Sequence, residues 1–205
     1  MADLVNIARS ELILGGQRSG KSRRAELLAR HWLDASPEHK AVMIATAQAR
    51  DGEMEMRIAR HQQDRAERLP GMQTIEEPVA IGEALGCHST AQTLVVIDCL
   101  TLWLTNLLMP HQDPEISLHS PENQSNRSLA QEVRPHSAML LVAIEKAAGP
   151  VVLVGNEIGL GVIPMGRETR QFVDALGRLN QEVAAACSRV SLMVAGLPLV
   201  LKDSS

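Results

Sequence analysis

Eight consecutive residues, Gly15-Gly16-Gln17-Arg18-Ser19-Gly20-Lys21-Ser22, fit the pattern G-x-x-x-x-G-K-[ST]. They stand between an apolar run, Leu12-Ile13-Leu14, and an amphipathic stretch that begins near Lys21. In that order the segment is a phosphate cradle. The glycines let successive backbone N–H groups turn toward phosphate oxygens, Lys21 reaches the β and γ phosphates, and the Ser22 hydroxyl is a ligand for Mg²⁺. A second acid-bearing element follows, Leu94-Val95-Val96-Ile97-Asp98. It reads as a buried strand beside the cradle that ends in a carboxylate facing the same metal, which makes Asp98 the partner of Ser22 there.

A third constellation lies on a helix expected over Asp51–Glu67. Arg57, His61 and Arg65 recur every four residues and so share one side, with Met54 and Ile58 beside them. Flanking guanidiniums disfavour an imidazolium, keep a ring lone pair available to attack phosphorus, and hold phosphate oxygens. The spacing alone is equally that of a solvated helix face. Asn156-Glu157-Ile158-Gly159-Leu160-Gly161 follows a strand candidate directly, where open parallel sheets place ligands, and is either a ligand contact or a structural turn.

The elements that must position these groups alternate. Leu12–Leu14, Ala41–Ala45, Leu94–Ile97, Val151–Val154 and Val190–Val194 read as strands, with helical patterns between most of them. This predicts an α/β fold with a mostly parallel sheet covered on both faces. The first helix carries Ala25, Leu28, Ala29, Trp32 and Leu33 as its buried stripe and stops near Pro37. Another is expected over Arg167–Ala186, and Leu199–Leu201 after Pro198 reads as a short antiparallel edge strand. Residues 1–205 are expected to form one domain, with Met1–Ser10 frayed and Pro110–Pro135 a polar surface excursion whose His111, His119 and His136 are solvated.

Composition narrows the partners. One Phe, two Trp and no Tyr among 205 residues leave little for stacking on bases, and a formal charge of −4 attracts neither nucleic acid nor anionic lipid. Any anion site must be local, and its ligand small. Cys87, Cys99 and Cys187 lack metal-ligand spacing and read as buried thiols in a reducing compartment. No run approaches the ~18 apolar residues of a membrane span, and no signal-peptide core is present at the start, so the cytoplasm is expected.

Taken together, the phosphate loop with Ile44-Ala45-Thr46-Ala47-Gln48, Glu53-Met54, Arg57-Ile58-Ala59-Arg60-His61, Asp98-Cys99-Leu100-Thr101-Leu102-Trp103-Leu104, Asn156–Gly161 and Gly177-Arg178-Leu179-Asn180-Gln181 resembles the bifunctional adenosylcobinamide kinase/adenosylcobinamide-phosphate guanylyltransferase family over most of Glu11–Lys202. The resemblance implies a RecA-like P-loop fold, a homotrimer, and two reactions. Adenosylcobinamide is phosphorylated by ATP or GTP with Mg²⁺, and GMP is then moved from GTP through a guanylylated histidine to give adenosylcobinamide-GDP. It assigns the histidine to His61 and the phosphate site to Gly15–Ser22. It places Thr46, Ala47, Gln48, Asp64, Arg65, Glu76 and Asp98 around the guanine nucleotide. Three departures stand out: Ala66 where the family usually has Pro, a slightly long Glu67–Gln73, and the polar composition of Pro110–Pro135. On the residues alone, a single-activity small-molecule kinase and a nucleotide-binding regulatory module remain as rivals.

Overall fold

The computed structural model describes residues 6–49, 52–109 and 129–204, the side chains of Arg57, His61 and residues 129–132 excepted. In chain order the elements are β1 (Ser10–Gly15), α1 (Lys21–Ala35), β2 (Lys40–Ala45), α2 (Gly52–Arg68), β3 (Met72–Glu76), α3 (Ile81–His88), β4 (Thr93–Asp98), α4 (Leu100–Leu108), α5 (Leu129–Lys146), β5 (Val151–Val154), α6 (Arg167–Ala186), β6 (Arg189–Val194) and β7 (Leu197–Asp203). They build one seven-stranded sheet in the order β3-β2-β4-β5-β1-β6-β7. Every neighbouring pair is parallel except β6 and β7, which form an antiparallel hairpin at one edge.

Alternation along the strands divides the core between the two faces. Leu12, Leu14, Val95, Ile97, Val151 and Leu153 pack with Leu100, Trp103, Leu140, Ile144, Leu176 and Val183 of α4, α5 and α6. Ile13, Met43, Leu94, Val96 and Val152 meet Ala25, Leu28 and Ala29 of α1 on the other face. Among the described residues, α2 gives no member to either cluster. It is held instead by polar ties at its C-terminal end. Arg68 pairs with Glu26 at 3.0 Å, its carbonyl accepts from Arg30, Arg65 donates to Thr74 Oγ1 at 3.2 Å, and Gln62 donates to Glu76 at 3.0 Å.

Several expectations need correction. β4 is not beside β1, because β5 lies between them. β3 was not expected at all; as an edge strand it is half in water and lacks a continuous apolar run. Residues 129–135 belong to α5, which runs through Pro135, so the excursion ends earlier than Pro135; residues 110–128, with His111 and His119, lie outside the described residues. The expectation of a frayed Met1–Ser10 fails at its end, since Ser10 is buried in β1 and Ala8 is 3 % exposed; residues 1–5 lie outside the described residues. Of the three thiols, Cys87 is exposed while Cys99 and Cys187 are buried. No described helix is long and apolar enough to cross a membrane.

Candidate active site

The loop between β1 and α1 has a shape that its glycines impose. Gly15 sits at φ +154°, and a Cβ there would stand 2.6 Å from Ser19 Oγ and 2.7 Å from the Met193 carbonyl. Gly20 precedes α1 at φ +102°, and Arg18 takes the left-handed region at φ +57°. The helix N-terminus has no side-chain cap, so its first amides are available to an anion. Neighbours brace the loop on both sides. The Glu157 N–H donates to the Gly15 carbonyl at 3.1 Å, and the Gly196 N–H, from the β6–β7 turn, donates to the Ser19 carbonyl at 3.1 Å.

Lys21 is buried and donates from Nζ to the Gly16 carbonyl at 2.7 Å. Burial lowers its pKa from the ordinary lysine value, while Cys99 and Asp98 nearby oppose that shift. The Cys99 thiol is pushed up to about 11, chiefly by burial and secondly by the Asp98 charge.

Loop, sheet and α2 enclose an open cavity of about 1050 Å³. Of the residues singled out in the sequence, Gln17, Arg18, Ser19, Gly20, Lys21, Ser22, Ala47, Asp64, Arg65, Glu76 and Asp98 line it. Gly15 and Gly16 form the start of the loop without lining the space, and half-buried Gln48 stands outside it. Thr46 is set behind the wall. It is fully buried, its hydroxyl donates to the Cys99 carbonyl at 2.8 Å, and it accepts from the Cys99 N–H at 2.8 Å. What that hydroxyl does is clamp the ends of β2 and β4 together, which fixes Ala47 and Asp98 relative to each other.

Position 61 of α2 belongs to the helix face defined by Ile58, Asp64 and Arg65, all three of which line the cavity. Arg23 and Gln62 line the cavity without having been named from the sequence, and Arg60, Cys99 and Leu102, quoted there only within longer motifs, line it too. Arg23 lies in the first turn of α1, and helical spacing from the phosphate loop is the signal that points to it. Asn156 also lines the cavity; its N–H donates to Thr101 Oγ1 at 2.9 Å and its carbonyl accepts from Asn180 at 3.1 Å. Asn106 reaches the same wall from behind, donating to the carbonyls of Thr46 at 2.8 Å and Pro78 at 3.1 Å.

The arrangement is a phosphate site facing a guanidinium-bearing helix across one cavity. The sequence profile of the cobinamide kinase / cobinamide phosphate guanyltransferase family matches residues 11–201. The chain belongs to that family. Relatives within it include the bifunctional adenosylcobalamin biosynthesis protein CobP of Pseudomonas aeruginosa, 44% identical over 94% of this chain and 96% of its own. CobU of Escherichia coli is 35% identical over 93% of this chain and 98% of its own. Among solved structures, an ATPase domain is similar at a TM-score of 0.53 and 10% identity, covering 97% of this chain and 78% of that one. A Pyrococcus horikoshii OT3 protein gives 0.54 at 10% identity, over 98% and 90%. These establish a RecA-like P-loop fold for this family member. The acid-bearing strand β4 is separated from the loop-bearing β1 by one strand.

Proposed function

We propose that this chain phosphorylates adenosylcobinamide with ATP or GTP and then transfers GMP from GTP to the product, giving adenosylcobinamide-GDP. The observation that carries the reading is the convergence on one cavity of the phosphate loop and the α2 face that contains position 61. In the first reaction an acceptor hydroxyl oxygen bonds to the γ-phosphorus and the nucleoside diphosphate leaves. The chain's contribution there is alignment and charge neutralisation by Lys21 and the loop amides.

In the second, a ring nitrogen of His61 bonds to the α-phosphorus of GTP and pyrophosphate leaves into the same cradle. A phosphate oxygen of adenosylcobinamide phosphate then bonds to that phosphorus and the imidazole leaves, so one hard transfer becomes two easier ones. Arg65 and Arg60 supply cavity-lining positive charge along α2. Ala47, Asp64 and Glu76 line the space available to the guanosine.

Ser22 and Asp98 bring a hydroxyl and a carboxylate to the phosphate end of the cavity. These are hard oxygen donors that fit Mg²⁺, which keeps most of its shell as water and phosphate oxygen. When bound, the ion neutralises phosphate charge. By family resemblance we read the working enzyme as a cytoplasmic homotrimer of one-domain subunits.

The test is chromatography of cobinamide incubated with the protein and ATP, then with GTP. The reading expects a phosphorylated corrinoid followed by its GDP derivative. A phosphorylated corrinoid that never acquires GMP would leave a kinase alone, and an unchanged corrinoid would remove both activities.

A further inference from the structure

The segment that follows the cavity-lining Asn156 is not part of the cavity wall and differs from it in chemistry. Ile158–Gly166 contains no charged residue. Five of its large apolar side chains stand in water, with Ile158 42 %, Leu160 80 %, Val162 96 %, Ile163 77 % and Met165 96 % exposed. Apolar groups gathered in this way mark a surface that something covers.

The backbone that carries them is tied at both ends. At the near end the Glu157 N–H donates to the Gly15 carbonyl at 3.1 Å, and the Glu157 carboxylate accepts from the Gly159 N–H at 2.8 Å. At the far end the Arg170 guanidinium donates to the carbonyls of Pro164, at 3.1 Å, and Met165. The segment is therefore presented by the site itself, bonded to the first residue of the phosphate loop.

Position and composition together select the occupant. Lys21 and Asp98 mark the end of the loop where a terminal phosphate projects, and Asn156 lines the cavity there. An acceptor alcohol must approach that phosphorus from outside the loop, and this segment is the chain that continues from Asn156 and is tied to Gly15 through Glu157. A polyanion would need free cations. The cavity-lining guanidiniums stand at the loop and α2, as Arg18, Arg23, Arg60 and Arg65, while Arg170 beside the segment is engaged with its backbone carbonyls. The apolar segment suits the body of a ligand that is not an anion and whose periphery is largely apolar, such as a corrin ring fringed with methyl and carboxamide groups.

We propose that Ile158–Met165 is the docking platform for the macrocycle of the corrinoid acceptor, which stays at the cavity mouth while its alcohol-bearing arm enters beside Asn156. The inference rests on the family reading above and adds a binding surface to it. The test uses the full chain, with a Leu160→Ser/Val162→Ser/Ile163→Ser variant and the single Val162→Ser variant. All three side chains are exposed, so neither variant removes core packing.

Cobinamide affinity is measured by equilibrium dialysis, self-guanylylation with labelled GTP in the absence of corrinoid, and assembly by light scattering. The triple variant is expected to bind cobinamide about tenfold more weakly or worse, and the single variant to fall between. Self-guanylylation and assembly stay as in the parent. Unchanged cobinamide affinity in the triple variant would overturn the proposal, and a changed assembly state would assign the surface to a second copy of the chain. Absence of cobinamide binding by the parent protein would instead defeat the family reading of the substrate.

Discussion

Lys21 spends its ammonium on the Gly16 carbonyl, 2.7 Å away, within its own loop. A triphosphate would replace that neutral acceptor with anionic oxygens, so the lysine is held at the place where charge arrives. Lys21→Ala is expected to lower both phosphoryl and guanylyl transfer by on the order of 10²-fold or more, since each discharges phosphate charge into this loop. Steady-state rates of the two reactions check it, and a full kinase rate in the variant would place the phosphates elsewhere.

The same residue gives a pH signature. Burial lowers its pKa in the folded protein. Between that lowered value and the ordinary one the unfolded chain binds more protons, so stability rises with pH across this alkaline window. Below the window the charged lysine sits unfavourably in the fold; above it both states are neutral and the rise stops. Thermal unfolding of the nucleotide-free protein should show this rise, and Lys21→Met should flatten it. Triphosphate binding in alkaline buffer should take up a proton, read by calorimetry in buffers of different ionisation enthalpy.

Two adjacent glycines should behave differently. Gly15→Ala sets a Cβ against Ser19 Oγ and the Met193 carbonyl at a backbone angle that side chains rarely adopt, whereas nothing lies within 4 Å of a Cβ at Gly16. The first substitution is expected to cost ~1–3 kcal/mol and weaken nucleotide binding, and the second to stay near parental stability. Denaturant unfolding and nucleotide titration compare them. Equal tolerance at both positions would contradict the loop geometry.

How much of this was legible in the sequence depended on the kind of signal. Buried parallel strands such as Val151–Val154 declare themselves as continuous apolar runs, and the phosphate loop by its glycines and lysine. Met72–Glu76 does not, because an edge strand with Gln73, Thr74 and Glu76 in water and no fully buried residue looks like a polar connector. Pro135 suggested a loop, yet it lies inside Leu129–Lys146. Most of the site residues named from the sequence line one cavity, whereas half-buried Gln48 stands outside it and Thr46 lies behind its wall. A side chain such as Thr46 can belong to a ligand-rich stretch and still be spent wholly on joining two strands, which only the fold reveals.

Asn106 is expected to matter without touching a ligand. It is 6 % exposed and its amide donates to the carbonyls that precede Ala47 and Val79. Asn106→Ala leaves buried carbonyls unpaired at a cost of ~1–3 kcal/mol and loosens the wall that carries Ala47. A raised KM for GTP together with a lowered denaturation midpoint would show both effects, and parental values for both would exclude the role.

The thiols should separate by reactivity. Cys87 is exposed, while burial pushes Cys99 up to about 11 and Cys187 up to about 12. In mildly alkaline buffer a thiol reagent is expected to modify Cys87 quickly and to reach the other two only after denaturant is added. Peptide mapping of the modified protein checks this, and rapid labelling of Cys99 in the native protein would contradict its burial.

The most direct test of the central claim is incubation of the protein with GTP labelled at the α-phosphorus, without corrinoid, followed by peptide mapping. A covalent, acid-labile and base-stable label is expected on the peptide that contains His61. No label is expected in His61→Ala, with nucleotide binding retained. A label on another residue, or none on a protein that binds GTP, would contradict the claim.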